Sequence, residues 1–148
     1  MQNNLLTGHI PATINRLTNL LLLYLDTNAL SGPIPPGLGK LTALQYLRLS
    51  GNRLSGELPP ALGQLSNLVE FLAESNELSG PIPTTIGGLT SLKRLHLFGN
   101  VLSGPIPPSI GNLAQLTELW LHANQLSGPL PETLGTDRTE NMQSKSSP

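Results

Sequence analysis

The sequence predicts a right-handed solenoid of the α/β class. It carries a parallel β-sheet on its concave face and short helical or 3-10 turns on the other side. Three observations carry that prediction: one motif recurs every 24 residues, its leucines alternate as in a strand, and Gly and Pro fall at fixed places after them. A chain of 148 residues with 15 Gly and 14 Pro would suit a disordered polypeptide on composition alone, but disorder predicts no fixed spacing.

The period is read from Asn4, Asn28, Asn52, Asn76, Asn100 and Asn124. Two residues after each comes Leu, four after comes Gly, six after comes Ile or Leu, and seven after comes Pro, from Pro11 to Pro131. Ahead of every Asn but the first stands LxxLxL, as in Leu44, Leu47 and Leu49 or Leu116, Leu119 and Leu121. In LxLxx the leucines point to one side and their neighbours to the other, the period of a short strand. One such strand cannot bury its face alone. Stacking successive turns about 4.8 Å apart makes a parallel sheet over one continuous core.

The remaining columns follow in chain order. Asn ends each strand inside the solenoid, where its amide satisfies backbone groups that water cannot reach. Gly permits a tight bend, and the Ile-Pro pair favours extended backbone. Segments such as Pro36 to Leu41 and Pro60 to Leu65 then form one or two helical or 3-10 turns, anchored by Leu38, Leu41, Leu62 and Leu65. The third strand departs from the pattern. It reads Leu68-Val69-Glu70-Phe71-Leu72-Ala73, and Phe71 is expected to fill the volume that Ala73 leaves.

The consensus LxxLxLxxNxLSGxIPxxLGxL resembles the plant-type subfamily of leucine-rich repeats, whose mark is the SGxIP stretch seen here at Ser31–Pro35 and Ser103–Pro107. The resemblance spans roughly Asn3 to Gly135 and implies a second short strand in SGxIP. The family includes ectodomains of receptor-like kinases and receptor-like proteins, and polygalacturonase-inhibiting proteins. It therefore implies protein or peptide binding in signalling or defence at the cell surface, or else a free-standing inhibitor or scaffold. Family ectodomains carry cysteine-paired caps, whereas this chain has no Cys and its first repeat lacks the LxxLxL strand. An uncapped end exposes Leu and Ile, so a fragment or truncated gene model is expected. The solenoid is assigned to residues 1–135, and 136–148 is read as a disordered polar tail.

Composition excludes several functions. Net charge is -1 with no basic run, against a nucleic-acid partner. The longest aliphatic stretch, Leu20 to Leu23, is far too short for a membrane span, and the N-terminus has no signal-peptide pattern. Neither a cysteine nucleophile, a phosphate loop with Lys nor a paired-carboxylate site is present, so no enzyme and no cofactor are expected.

Function is then left to the outward positions of the five strands, six, four and two residues before each Asn. The first column is Leu22, Tyr46, Glu70, Arg94 and Glu118; the second is Tyr24, Arg48, Leu72, His96 and Trp120; the third is Asp26, Ser50, Glu74, Phe98 and His122. Both Tyr, the only Trp and one of two Phe fall on this grid, and aromatic anchors on a rigid scaffold suit binding. The partner surface is assigned to Tyr24, Tyr46, Arg48, Glu70, Glu74, Arg94, His96, Phe98, Glu118, Trp120 and His122. Glu70, Arg94 and Glu118 are expected to form a cross-strand charge ladder, and Arg94 also suits an acidic partner group. His96 and His122 are spaced to share a metal ion, but no third ligand is well placed, so no metal is assigned. The hydroxyl column Thr7, Ser31, Ser55, Ser79, Ser103 and Ser127 resembles an ice-binding row, yet it belongs to the family consensus and is read as turn chemistry.

Overall fold

The computed structural model describes Met1 and residues 3–135. The polar segment 136–148 lies outside the described residues.

Among the described residues there are eleven short strands, two between each pair of successive 3-10 turns. They are β1 Thr7–Gly8, β2 Leu22–Tyr24, β3 Ala29–Pro33, β4 Tyr46–Arg48, β5 Arg53–Glu57, β6 Glu70–Leu72, β7 Glu77–Gly80, β8 Arg94–His96, β9 Val101–Pro105, β10 Glu118–Trp120 and β11 Gln125–Ser127. The even-numbered strands come from LxxLxL and form a five-stranded parallel sheet in the order β10-β8-β6-β4-β2. The odd-numbered strands come from the stretch after Asn and form a six-stranded parallel sheet in the order β1-β3-β5-β7-β9-β11. The second strand implied by SGxIP is therefore present, starting two residues before the Ser in β3, β5, β7, β9 and β11. The helical segments all resolve as 3-10 turns of three to five residues, such as Pro36–Lys40 and Pro60–Gln64. Each opens after the repeat's Pro, whose carbonyl takes the first turn bond, as in Leu38 N–H to Pro35 at 3.0 Å.

The two sheets differ in register. In the LxxLxL sheet partners are 24 residues apart, as Tyr46 with Glu70 and Leu47 with Phe71. In the second sheet they are 22 apart, as Ser31 with Arg53 and Ser55 with Glu77. The serines of the repeat are thus staggered by two residues per turn instead of facing each other across the ladder, and the flat hydroxyl row does not form.

One core runs the length of the stack. Leu44, Leu47, Leu49, Leu68, Phe71, Ala73, Leu92, Leu95 and Leu97 are wholly buried, as are Leu38, Leu41 and Leu65 beneath the turns. At the first turn, where no strand of this sheet covers the edge of β2 away from β4, Leu5, Leu17, Leu21 and Leu22 are exposed. A cavity of about 430 Å³ opens there between Leu6, Ile10, Ile14, Leu20, Leu23 and Leu25.

The Asn column does more than fill its own turn. Asn52 Nδ2 donates to the carbonyls of Leu49 and Leu25, both at 3.0 Å, and its Oδ1 accepts the Leu30 N–H at 3.0 Å. Each amide thereby stitches two consecutive turns together. The residue just before each of these Asn adopts left-handed backbone, at Thr27, Ser75 and Ala123 (φ 53°, 55° and 52°) as well as at Gly51 and Gly99. That conformation is unfavourable for Thr and other residues with a Cβ, and the Asn amide, donating to the carbonyls of the two residues before the kink (Leu25 and Asp26 ahead of Thr27), holds it. A second Gly column, Gly39, Gly63, Gly87 and Gly111, lies in the 3-10 turns. A Cβ on Gly63 would stand 2.2 Å from the Thr85 carbonyl oxygen of the next turn, so these glycines set how closely the turns approach.

Candidate functional site

The outward side chains of β2, β4, β6, β8 and β10, with the residue two beyond each strand, share the concave face in the 24-residue register. Strand alternation aims them away from the core. They organise into two neighbouring clusters, one ionic and one aromatic.

The ionic cluster centres on Glu70. Strand periodicity places this residue on the outer face, yet its side chain is 1% exposed. Two arginines cover it: Arg48 from β4, whose Nε donates to Glu70 Oε1 at 2.5 Å, and Arg94 from β8, whose guanidinium pairs with Oε2. Arg48 in turn lies over the Tyr24 ring, 4.6 Å from its centroid. The hydrogen bond to Glu70 pushes the Arg48 pKa further up, against the opposing effect of burial, so the guanidinium stays charged. Both guanidiniums keep a face to solvent, with side-chain exposures of 34% for Arg48 and 42% for Arg94.

The expected ladder of Glu70, Arg94 and Glu118 thus holds between Glu70 and Arg94 and fails at Glu118. Arg94 and Glu118 are register partners, but Glu118 turns to the neighbouring column and accepts a hydrogen bond from His96 Nε2 at 3.0 Å. The charges therefore sort as Arg48–Glu70–Arg94 and His96–Glu118. Glu70 is a buried brace for two arginines and does not itself present a surface. Glu70→Gln removes the charge while keeping the shape. It is expected to lower stability by about 1–2 kcal/mol in urea unfolding, less than for a wholly buried pair because the arginines reach water.

The aromatic cluster occupies the last two strands. His96 is buried and stacks on Trp120, with ring centroids 4.1 Å apart and planes within 1°. Phe98 stacks on His122 at 4.7 Å and 8°, and it tilts against Trp120 at 5.9 Å. The strand spacing of about 4.8 Å suits such ring ladders. The two histidines are thus spent on different partners, and among the described residues no three His, Asp or Glu side chains gather to hold a metal ion. Tyr46 lies half-buried in register between Leu22 and Glu70, and Glu74 lies half-buried in the column of Phe98 and His122.

The leucine-rich repeat ectodomain fold is a binding module. Among the described residues no helix is long and apolar enough to cross a membrane.

Comparison with known proteins agrees with this geometry. No curated protein sequence matches the chain. The profile of the leucine-rich repeat region family matches residues 12–136. Among solved structures, the plant peptide hormone receptor RGFR1 in complex with RGF2 is similar over 90% of this chain and 22% of its own, with 40% identity and a TM-score of 0.89. The ectodomain of the Arabidopsis thaliana membrane receptor kinase GASSHO1/SCHENGEN3, in complex with CASPARIAN STRIP INTEGRITY FACTOR 2, is similar over 86% of this chain and 15% of its own, with 44% identity and a TM-score of 0.85. The ectodomain of the Arabidopsis thaliana receptor kinase SOBIR1 is similar over 88% of this chain and 71% of its own, with 33% identity and a TM-score of 0.81. The chain thus spans less than a quarter of the first two and most of the third. The profile match over residues 12–136 and the likeness to these plant ectodomains show the family: the chain belongs to the leucine-rich repeat family, in its plant type.

Proposed function

We propose that this chain is a peptide-recognition segment of a receptor-like protein acting in signalling or defence at the cell surface, and that it is not an enzyme. The partner lies on the concave face, against Tyr24, Tyr46, Arg48, Glu74, Arg94, His96, Phe98, Glu118, Trp120 and His122, with Glu70 bracing the arginines beneath. The carrying observation is the distribution of aromatics. The chain has five, and four of them, Tyr24, Tyr46, Phe98 and Trp120, lie on this one face while Phe71 fills the core. Rigid rings supply contact area at small entropic loss, which is why they dominate binding hot spots. Support comes also from the similar ectodomains solved with RGF2 and CASPARIAN STRIP INTEGRITY FACTOR 2.

Selection of binders from a displayed peptide library on the folded chain tests this reading. Trp120→Ala with Phe98→Ala is expected to weaken the selected peptides by at least about thirtyfold, the effect of losing a hot-spot pair. Unchanged affinity with intact circular dichroism, or a selection that returns no binder, would overturn it.

A further inference from the structure

The outward grid of the concave face carries two arginines, Arg48 and Arg94, against four carboxylates, Asp26, Glu70, Glu74 and Glu118, so its surplus charge is negative. Glu70 is covered by both arginines, and Glu118 accepts from His96. Asp26 and Glu74 pair with no cation among the described residues. They share one column, with Ser50 between them and Phe98 next in line. Backbone bonds fix that order: the Thr27 N–H donates to the Ser50 carbonyl at 2.8 Å, Gly51 to Glu74 at 3.0 Å and Ser75 to Phe98 at 3.0 Å. We infer that the Asp26–Ser50–Glu74 row takes a cationic side chain. The face then selects an extended peptide whose Arg or Lys stands about three or four residues from an aromatic residue. The inference rests on the peptide-recognition reading and adds the chemistry of the partner and its spacing.

Asp26 Oδ1, Ser50 Oγ and Glu74 Oε2 are shielded from solvent, and none has a hydrogen-bond partner among the described residues. Buried acceptors without donors are costly. Three of them on adjacent rungs of one column suit a group with several N–H donors, which a guanidinium or an ammonium supplies. Asp26 and Glu74 are themselves only half-buried, so rotation of either carboxyl group turns its shielded oxygen toward such a ligand. The brace of Arg48, Glu70 and Arg94 meanwhile leaves one surplus positive charge in the neighbouring columns. Arg48 is held over Tyr24 and on Glu70, and Asp26 is the weakest of the groups acting on it. Its repulsion keeps an incoming cation off the middle of the face and on the acidic row. The same column runs on into the aromatic cluster, where Phe98 stacks on His122 and tilts against Trp120. Strands lie about 4.8 Å apart, so Ser50 stands roughly 10–14 Å from the rings of the last two strands. That distance is about three or four residues of extended chain.

The probes are acetylated, amidated decapeptides of Ser carrying one Arg and one Trp, in both orders and from one to seven positions apart. Surface plasmon resonance on the immobilised chain is expected to show the tightest binding at a separation of three or four in at least one order. Affinity should fall about fivefold to tenfold at separations of one and seven. Replacing Arg by uncharged citrulline in the best peptide should cost about fivefold, and high salt should cost the Arg peptide alone a similar factor. Asp26→Asn with Glu74→Gln should remove most of the difference between the Arg and citrulline peptides. The citrulline peptides test the same contact on the unaltered protein, whatever the double variant does to folding. Equal binding of Arg and citrulline peptides, or a flat dependence on separation, overturns the inference. So does an Arg–citrulline difference that survives intact in the folded double variant. Library binders that lack the basic–aromatic spacing overturn it while leaving peptide recognition standing. Failure of every probe to bind overturns it too, and the wider reading then stands or falls by the library selection.

Discussion

Asn76→Ala is expected to lower the unfolding free energy by about 3–5 kcal/mol, a large share of the roughly 5–15 kcal/mol that holds a domain folded. The amide has four recorded bonds. Its Oδ1 accepts the Leu54 N–H at 2.9 Å, and its Nδ2 donates to the carbonyls of Leu49, Ala73 and Glu74 at 3.0, 3.2 and 3.3 Å. Alanine removes all four and offers nothing in return. The Leu54 N–H and Leu49 carbonyl belong to the preceding turn, so the loss falls on the junction between turns as well as on one strand end. Each stranded buried group costs about 1–3 kcal/mol, and Asn76 is only 8% exposed, so water does not readily replace the amide. Asn76→Asp is a sharper version: the carboxylate still accepts from Leu54 but faces three carbonyls without a donor. Asn28 makes an equivalent set of bonds at a more exposed position, so Asn28→Ala should lose roughly half as much. Urea midpoints of the three variants check the order. A solenoid coupled only by its leucines would instead show small and similar losses at both sites.

Asn, Leu, Ile-Pro and the first Gly column were legible in the sequence because each answers a requirement of one repeat considered alone. What was not legible depends on contacts between repeats. Alternation correctly put Glu70 on the outer face, but facing outward is not the same as being exposed. Long arginine side chains on both flanking strands fold over the carboxylate, and strand periodicity carries no information about their rotamers. Glu118 shows the same limit. Its register partner is Arg94, yet a short step along the strand reaches His96, already held against Trp120. The Gly39, Gly63, Gly87 and Gly111 column was visible as LGxL, but its reason lies in the backbone of the following turn. The left-handed residues before Asn carried no signal at Thr27, Ser75 or Ala123, because the side chain that stabilises them belongs to the next residue. The aromatic half of the face was more legible, since same-column residues in a 24-residue register must be neighbours.

Phe71→Ala is the second large loss to expect, about 3–5 kcal/mol, because it opens a cavity between Leu47 and Leu95 in the middle of the core. The informative part is its coupling to Ala73. Every other LxxLxL segment carries Leu at both inward positions, whereas here a larger ring and a methyl share the same interior, both wholly buried. If the ring occupies the room that Leu would take at 73, Phe71→Leu leaves a void and costs about 1–2 kcal/mol. Ala73→Leu alone then overpacks against that ring and costs about 1–3 kcal/mol. Together they rebuild the consensus strand, and the double variant should be more stable than the sum of the single losses by about 1–2 kcal/mol. Additive losses would mean that the two positions pack independently and that the ring answers some other demand of the third turn. The exchange also reaches the concave face proposed to bind peptide, because Glu70 and Leu72 flank Phe71 on the same strand. A double variant that restores stability without altering peptide affinity would show that the Arg48–Glu70–Arg94 brace is set by side chains on the outer face. Altered affinity at equal stability would place its alignment in the core beneath.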